Sequence, residues 1–247
     1  MNYQSFKEDS KLIRKSILGQ SLCITGFSLT KENYYPAGRH LRGAFGLIAY
    51  ELNLEISQYF LDFSWDGIIF RDMLPLCKCG LPLLMWDKIS QMCPHCHTIY
   101  QEKDILKFVR TIKTKDGYID DGWHYRFNLI YEQKYEKDVK TVLDVMQNDG
   151  FSIGKRRSEG WGSFCLEDYV ETNISPNIHP SKALLISHAI TPNGEKEIRI
   201  SKYIISTNKF NYFGLKYIPK GNIINDAKGF YYGEYGSLGF GEYQIIK

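Results

Sequence analysis

The sequence predicts an α+β fold, with strands and two helices alternating through the first two thirds and a β-rich final third. Three observations carry this expectation. Residues 39–53 and 137–149 place apolar side chains on one face at helical spacing. Short runs rich in β-branched and aromatic residues lie around and after them. A glycine skeleton then occurs twice, as Gly154-Lys155-Arg156-Arg157-Ser158-Glu159-Gly160-Trp161-Gly162 and as Gly233-Glu234-Tyr235-Gly236-Ser237-Leu238-Gly239-Phe240-Gly241. Both copies read G-x-x-x-S-x-G-aromatic-G, with matching positions 79 residues apart (154 against 233, 162 against 241). Glycines so spaced let a backbone take positive φ and approach another backbone closely, a phosphodiester chain among them.

In chain order, residues 1–15 are polar and fit strand, arm or short helix equally. Residues 21–29 read as a strand around Leu22, Ile24 and Phe27. A turn at Tyr34-Tyr35-Pro36-Ala37-Gly38 leads into the first helix, whose stripe is Leu41, Ala44, Phe45, Ile48 and Leu52. Gly43 and Gly46 inside it lower helix propensity by about 1 kcal/mol each relative to Ala. Close packing against a sheet or against a ligand backbone would explain them. Arg39, His40 and Arg42 crowd the start of this helix, where the dipole already favours an anion. These cations do not help the helix, so phosphate binding and solvated charge stand as the two explanations.

Residues 65–70 are strand-like and lead to Cys77-Lys78-Cys79, thirteen further residues, and Cys93-Pro94-His95-Cys96. Two close thiol pairs joined by a loop are the arrangement of a tetrahedral structural zinc site. Cys77, Cys79, Cys93 and Cys96 are therefore the candidate ligands, with His95 or His97 as replacements for one thiol. Four thiolates leave no open position, so one zinc per chain is expected in a structural role.

Residues 110–121 look like an exposed loop. Residues 123–131 alternate as a strand, with His124 and Arg126 facing away from Tyr125 and Phe127. The second helix has the stripe Val139, Val142, Leu143 and Met146, and Gly150 stands where a left-handed terminating residue belongs. It delivers the chain into the first glycine loop, followed by a strand at 163–166. The order implies a sheet covered on one face. Beyond it, 171–180 reads as a polar connector, 183–190 as a strand, and Pro192-Asn193-Gly194 as the turn of a hairpin completed by 197–206. Residues 211–218 extend the β character, 221–229 read as a loop, and 230–246 hold the second glycine loop and a closing strand.

The bulk numbers agree with this picture. With 43% hydrophobic and 24% charged residues the chain reads as an ordinary globular protein. A net charge of +3 permits a nucleic-acid partner only through a local basic surface. No apolar run reaches membrane-spanning length and residues 1–15 have no signal-peptide core, so no membrane role and a cytoplasmic location are expected. The six cysteines, four of them within twenty residues, fit metal binding in a reducing compartment better than a disulfide framework.

The segment Pro36-Ala37-Gly38-Arg39-His40-Leu41-Arg42-Gly43-Ala44-Phe45, together with the doubled glycine loop, resembles the RAMP superfamily of CRISPR-associated proteins. The resemblance runs from about residue 20 to the C-terminus, and the cysteine insertion is similar to that of RAMP subunits of the type III-D and type VII lineage. It implies a ferredoxin-like (RRM-like) fold in two unequal halves. These are 1–170, with a zinc insertion at about 71–102, and 171–247, with the second loop. It implies a crRNA-binding subunit of an effector complex, acting in antiviral defence with other RAMP subunits as partners and target RNA or DNA nearby. Carried over by residue, Arg39, His40, Arg42 and Gly43 would meet RNA, as would Gly154, Lys155, Arg156, Arg157, Ser158 and Gly160. Two unequal halves look most like the subunit that caps the crRNA five-prime handle (the Cas-five group). The filament-forming Cas-seven group is the nearest alternative.

A crRNA-processing endoribonuclease (the Cas-six group) is the reading of a different class. It needs a general base for a 2′-hydroxyl and cations for the developing charge. His40 is the candidate base, with Tyr34 or Tyr35 beside it, and His124, His179 and His188 have no evident partners. No nucleophile elbow, Walker loop or nuclease carboxylate cluster is present. The expectation is thus a non-catalytic RNA-binding subunit.

Overall fold

The structure, a computed structural model, describes residues 13–24, 36–62, 65–83, 90–93, 96–101, 123–154, 158, 162–174, 181–194, 196–197, 216–227 and 229–245. The chain opens with β1 (Arg14–Cys23) and α1 (Gly38–Glu51), then a 3-10 segment Glu55–Leu61, β2 (Ile68–Phe70) and β3 (Leu74–Pro75). A small hairpin, β4 (Ser90–Met92) with β5 (Ile99–Gln101), precedes β6 (Trp123–Glu132), α2 (Glu136–Asn148), β7 (Phe151–Ser152) and β8 (Ser163–Ile174). The C-terminal part consists of β9 (Lys182–Leu185), β10 (Ala189–Ile190), β11 (Lys196–Glu197), β12 (Lys216–Ile218), β13 (Ile223–Asn225) and β14 (Tyr243–Ile245).

The main sheet runs β2-β6-β1-β8-β7, all antiparallel, with β3 also on β6. Taken with α1 and α2, the order β1-α1-β2-β6-α2-β8 is the βαββαβ ferredoxin-like unit, its first strand central and its last outside it. Both helices lie on one face, as the alternation in β6 requires: Tyr125, Phe127, Leu129 and Tyr131 are buried, whereas His124 is exposed. Gly19 in β1 stands opposite Phe127, and a Cβ there would come within 2.4 Å of that ring. The glycine makes room for a core aromatic at the centre of the sheet.

Leu41, Ala44, Phe45, Ile48 and Ala49 form the buried face of α1; Val139, Val142, Leu143 and Met146 form that of α2. Each fully buried branched side chain contributes about 2 kcal/mol, which is what seats these helices. Gly150 ends α2 with φ +77°, the expected left-handed residue.

Several boundaries differ from the sequence expectation. β1 begins at Arg14, seven residues before the expected strand start at 21, because Ser16 and Ile17 already pair with β6 and β8. Residues 25–29 lie outside the described residues, as do 110–121. β8 runs on to Ile174, through the expected 170/171 boundary and into the expected connector, paired with β1 along that length. The single strand expected at 183–190 is two, β9 and β10, which belong to different sheets. The hairpin across Pro192-Asn193-Gly194 is also corrected: β12 lies between β10 and β11 and pairs with both. Gly194 permits this, since a Cβ on it would come within 2.3 Å of the Tyr217 backbone. The loop expected at 221–229 contains β13, which joins β14 on either side of β9.

Candidate nucleic-acid interface and metal centre

The start of α1 is held from three directions. Ala37 is the extended N-cap residue, and the His40 N–H donates to its carbonyl at 2.8 Å. The Ala37 N–H in turn donates to His40 Nδ1 at 3.0 Å. Asp72, just after β2, accepts from the Gly38 N–H at 2.8 Å and so caps the helix from another element. Because Nδ1 accepts, the His40 proton is on Nε2. Burial, then the charge of Arg39, pushes the imidazole pKa down to about 3. His40 is a neutral capping residue whose one ring lone pair is already engaged.

Arg42 needs correction as an RNA contact. It is 4% exposed, and Nη1 and Nη2 donate to the carbonyls of Phe60 (2.7 Å) and Asp62 (2.9 Å). Its guanidinium also lies over the Phe60 ring, 5.1 Å from the centroid. It tethers the end of the 3-10 segment to α1 and faces inward. The two helix glycines separate in the same way. A Cβ on Gly46 would meet the Phe60 ring at 2.8 Å, so packing explains that glycine. Gly43 is exposed, and a methyl group placed on it would have nothing within 4 Å, so no internal packing requires it. Of the four candidates on α1, Gly43 is exposed, Arg39 and His40 are half-buried and Arg42 is buried.

The two glycine loops close by the same hydrogen bond. Ile153 N donates to Gly162 O and Tyr232 N donates to Gly241 O, both at 2.8 Å. A Cβ on Gly162 would lie 1.8 Å from the Ile153 carbonyl oxygen, and one on Gly241 would lie 1.9 Å from that of Tyr232. The repeat is longer than the nine-residue skeleton: Gly150 and Gly229, at the same offset, have φ +77° and +75°, and a phenylalanine follows each. Sequence reasoning missed this extension, although Gly-Phe-x-x-Gly in both copies signals it.

The loops differ in surroundings. The second is packed: Ser237 is 1% exposed, Gly236 meets the Tyr231 ring, and Gly239 abuts Gly38. A Cβ on Gly239 would come 2.8 Å from the Gly38 Cα, placing this loop at the foot of α1 and against β2. It closes onto the first half of the chain as well as its own. In the first loop Gly154 has φ +95° and Ser158 is exposed. Lys155, Arg156, Arg157 and Gly160 lie outside the described residues.

Under the second loop lies a charged cluster that the sequence did not reveal. Glu242 Oε2 accepts from the Asp72 N–H at 3.1 Å, and its other oxygen is 3.6 Å from Arg71 Nη1. Arg71 also donates to the Phe230 carbonyl at 2.9 Å. Burial, then the neighbouring Glu242 charge, raises the Asp72 pKa to about 7. Burial likewise raises Glu242, against the pull of Arg71. These residues come from positions 170 apart in sequence, and no local pattern marks them.

The cysteine cluster forms as expected. The sulfurs of Cys77, Cys79, Cys93 and Cys96 all lie within 4.8 Å of one another. Cys77–Cys96 is 3.3 Å and Cys79–Cys93 is 3.6 Å, well beyond a disulfide bond of about 2.05 Å. Thiolates bound tetrahedrally at about 2.3 Å stand just under 4 Å apart, close to what is found. Gly80, at φ +81°, donates to Cys77 O at 2.8 Å, and His97 donates to Cys93 O at 3.0 Å. The β4–β5 hairpin carries the second pair at its turn. His97 is not in the cluster, and His95 lies outside the described residues.

Among the described residues, two further histidines, His124 and His188, are engaged. His124 Nδ1 is 2.8 Å from Glu167 on the sheet face away from the helices, and His188 Nδ1 accepts from the Lys220 N–H at 3.1 Å. Tyr34, Tyr35 and His179 lie outside the described residues.

No protein-family model matches the chain, and no curated protein matches it in sequence. Solved structures similar to it include "CRISPR associated protein Cas6", at 10% identity and TM-score 0.47, covering 95% of this chain and 100% of that one. A second is described as "An RAMP protein binding different RNA substrates", at 9% identity and TM-score 0.43, covering 95% and 100%. A third is the Csm3-Csm4 subcomplex of the type III-A CRISPR-Cas interference complex, at 12% identity and TM-score 0.40, covering 86% and 94%.

Proposed function

We propose that the chain is a CRISPR-associated RAMP protein, a non-catalytic crRNA-binding subunit of an effector complex that caps the five-prime handle. The observation carrying this reading is the pair of identically closed glycine loops, one used inside the protein and the other bearing Lys155, Arg156 and Arg157. A loop whose glycines serve only the fold needs no cations. A copy that carries three consecutive cations among its glycines suits a sugar–phosphate chain. Arg39 and Gly43 on α1 are the further RNA contacts in this reading. Its two parts divide after β8, which ends at Ile174, other RAMP subunits are its neighbours, and the cytoplasm is its location. Among the described residues no helix is long and apolar enough to cross a membrane.

The four cysteines hold one zinc as a structural ion, its thiolate shell closed. The neutral, Nε2-protonated His40 is unsuited to removing a proton, so the subunit does not cleave RNA through it. A binding series with a fluorescent single-stranded RNA of the repeat tests the reading. Replacing Lys155, Arg156 and Arg157 together by Ala lowers the slope of log affinity against log salt by about 2, at roughly 0.7 for each phosphate no longer neutralised. Unchanged affinity and slope would remove the loop from the interface. Cleavage of the repeat without added metal, abolished in His40→Ala, would replace the binding reading with the processing enzyme.

A further inference from the structure

The two cysteine pairs are closed by the same backbone hydrogen bonds although their spacing differs. One residue separates Cys77 from Cys79, and two separate Cys93 from Cys96. In both pairs the residue after the second cysteine is left-handed, Gly80 at φ +81° and His97 at φ +59°. Its N–H donates to the carbonyl of the first cysteine. The N–H of the first cysteine donates in turn to the carbonyl two positions beyond the second, Cys77 to Leu81 at 2.8 Å and Cys93 to Thr98 at 2.9 Å. Leu81 and Thr98 therefore hold equivalent places, and in each pair the first cysteine is buried and the second exposed. Their side chains are not equivalent. Thr98 Oγ1 lies 3.1 Å from Cys96 Sγ. A sulfur bound to a metal has no proton to give, so the hydroxyl is the donor. The Leu81 side chain carries no hydrogen-bond donor for Cys79.

Resting on the zinc reading above, we infer that Thr98 is a positioning residue of the metal centre, and that its hydroxyl leaves Cys79 as the thiolate that a soft electrophile attacks first. The thiolate is the nucleophilic form of cysteine, and burial keeps Cys77 and Cys93 out of reach. Cys79 and Cys96 remain. The hydroxyl bond draws charge from the Cys96 sulfur and fixes its orientation, as outer-shell donors do for metal ligands generally. Cys79 keeps its full charge and faces solvent. With iodoacetamide as the electrophile, the Cys79 sulfur forms a bond to the methylene carbon and iodide leaves with the negative charge. The thioether that results is neutral and a weak ligand, so release of the metal follows from this one substitution. The unequal pair spacing is not what distinguishes the two exposed thiolates; the residue two positions beyond each of them is.

The test treats the zinc-loaded full chain with limiting iodoacetamide, maps the labelled cysteines by mass spectrometry, and follows zinc transfer to a chromogenic chelator. In the parent, Cys79 is labelled before Cys96. Thr98→Val keeps the branched shape without the hydroxyl; it should bring Cys96 labelling up to that of Cys79 and weaken zinc affinity by about tenfold or more. Thr98→Ser retains the hydroxyl and should behave as the parent. Equal labelling of the two cysteines in the parent, or a Thr98→Val chain that labels and holds zinc as the parent does, overturns the inference and leaves the zinc reading standing. Equal losses in Thr98→Val and Thr98→Ser also overturn it, since the methyl group and not the hydroxyl would then be responsible. A folded parent that holds no zinc overturns both.

Discussion

Replacing Gly43 by Ala separates stability from function in this protein. The new methyl would meet no atom within 4 Å, and Gly43 has no positive φ that Ala would strain. The substitution therefore gains the helix propensity difference, about 1 kcal/mol, with no packing penalty. For a chain of this size that is a rise of about 2–4 °C in Tm, readable by thermal melting or urea unfolding. If RNA approaches α1 at this point, the same methyl holds the sugar–phosphate backbone away and weakens binding while the fold becomes firmer. Gly38→Ala is the internal comparison. Its Cβ would fall 2.2 Å from the Phe70 carbonyl oxygen and 2.8 Å from the Gly239 Cα, both backbone atoms that cannot rotate aside. Overpacking and a weakened Asp72 cap together cost about 2–4 kcal/mol. A destabilised Gly43→Ala would refute the open geometry of that helix face. A stabilised variant with unchanged RNA affinity would refute the close approach.

Three further outcomes follow from the geometry. Arg42→Ala strands the Phe60 and Asp62 carbonyls and lowers stability by about 2–4 kcal/mol in urea. It leaves the salt slope of RNA binding where it was; a reduced slope would return Arg42 to the interface. Elemental analysis of the purified chain finds about one zinc, and Cys77→Ser or Cys96→Ser loses it; a folded, metal-free parent would dismiss the site. The Asp72 carboxyl gives a pH dependence of definite sign. Its folded pKa, about 7, lies above the ordinary 3.8, so between those values the folded state holds more proton than the unfolded. Stability therefore falls as pH rises across that window and levels off above it, and Glu242 acts in the same direction. Asp72→Asn still accepts from Gly38 N–H and flattens that part of the curve; an unaltered curve in urea titrations would show that Asp72 is not its source.

Much of the fold was legible because its signals are local. The α2 stripe and Gly150 depend only on spacing and one backbone conformation, as does the alternation of β6. The cysteine cluster was legible for a related reason, since two tight turns deliver four thiols to one point whatever surrounds them. Strand ends were less readable. The start of β1, the extension of β8 to Ile174 and the break between β9 and β10 depend on which strand lies alongside, and pairing partners are distant in sequence. The insertion of β12 between β10 and β11 overrode a turn signal at Pro192-Asn193-Gly194 for this reason. The cluster of cations at the start of α1 was visible, but not its sorting into buried Arg42 and half-buried Arg39.

Order along the chain is enough to specify the α+β alternation, the two helices, the clustered thiols and the doubled glycine loop. Each is encoded within a few residues by periodicity, ligand chemistry or the conformational freedom of glycine. Packing in three dimensions is needed to select which loop is used internally and which helix glycine is open. It also selects which arginine is taken up by carbonyls and which distant groups, Asp72 and Glu242, gather at the foot of α1. Those outcomes depend on what lies across the fold from each residue, and burial and charge act through space rather than along the chain.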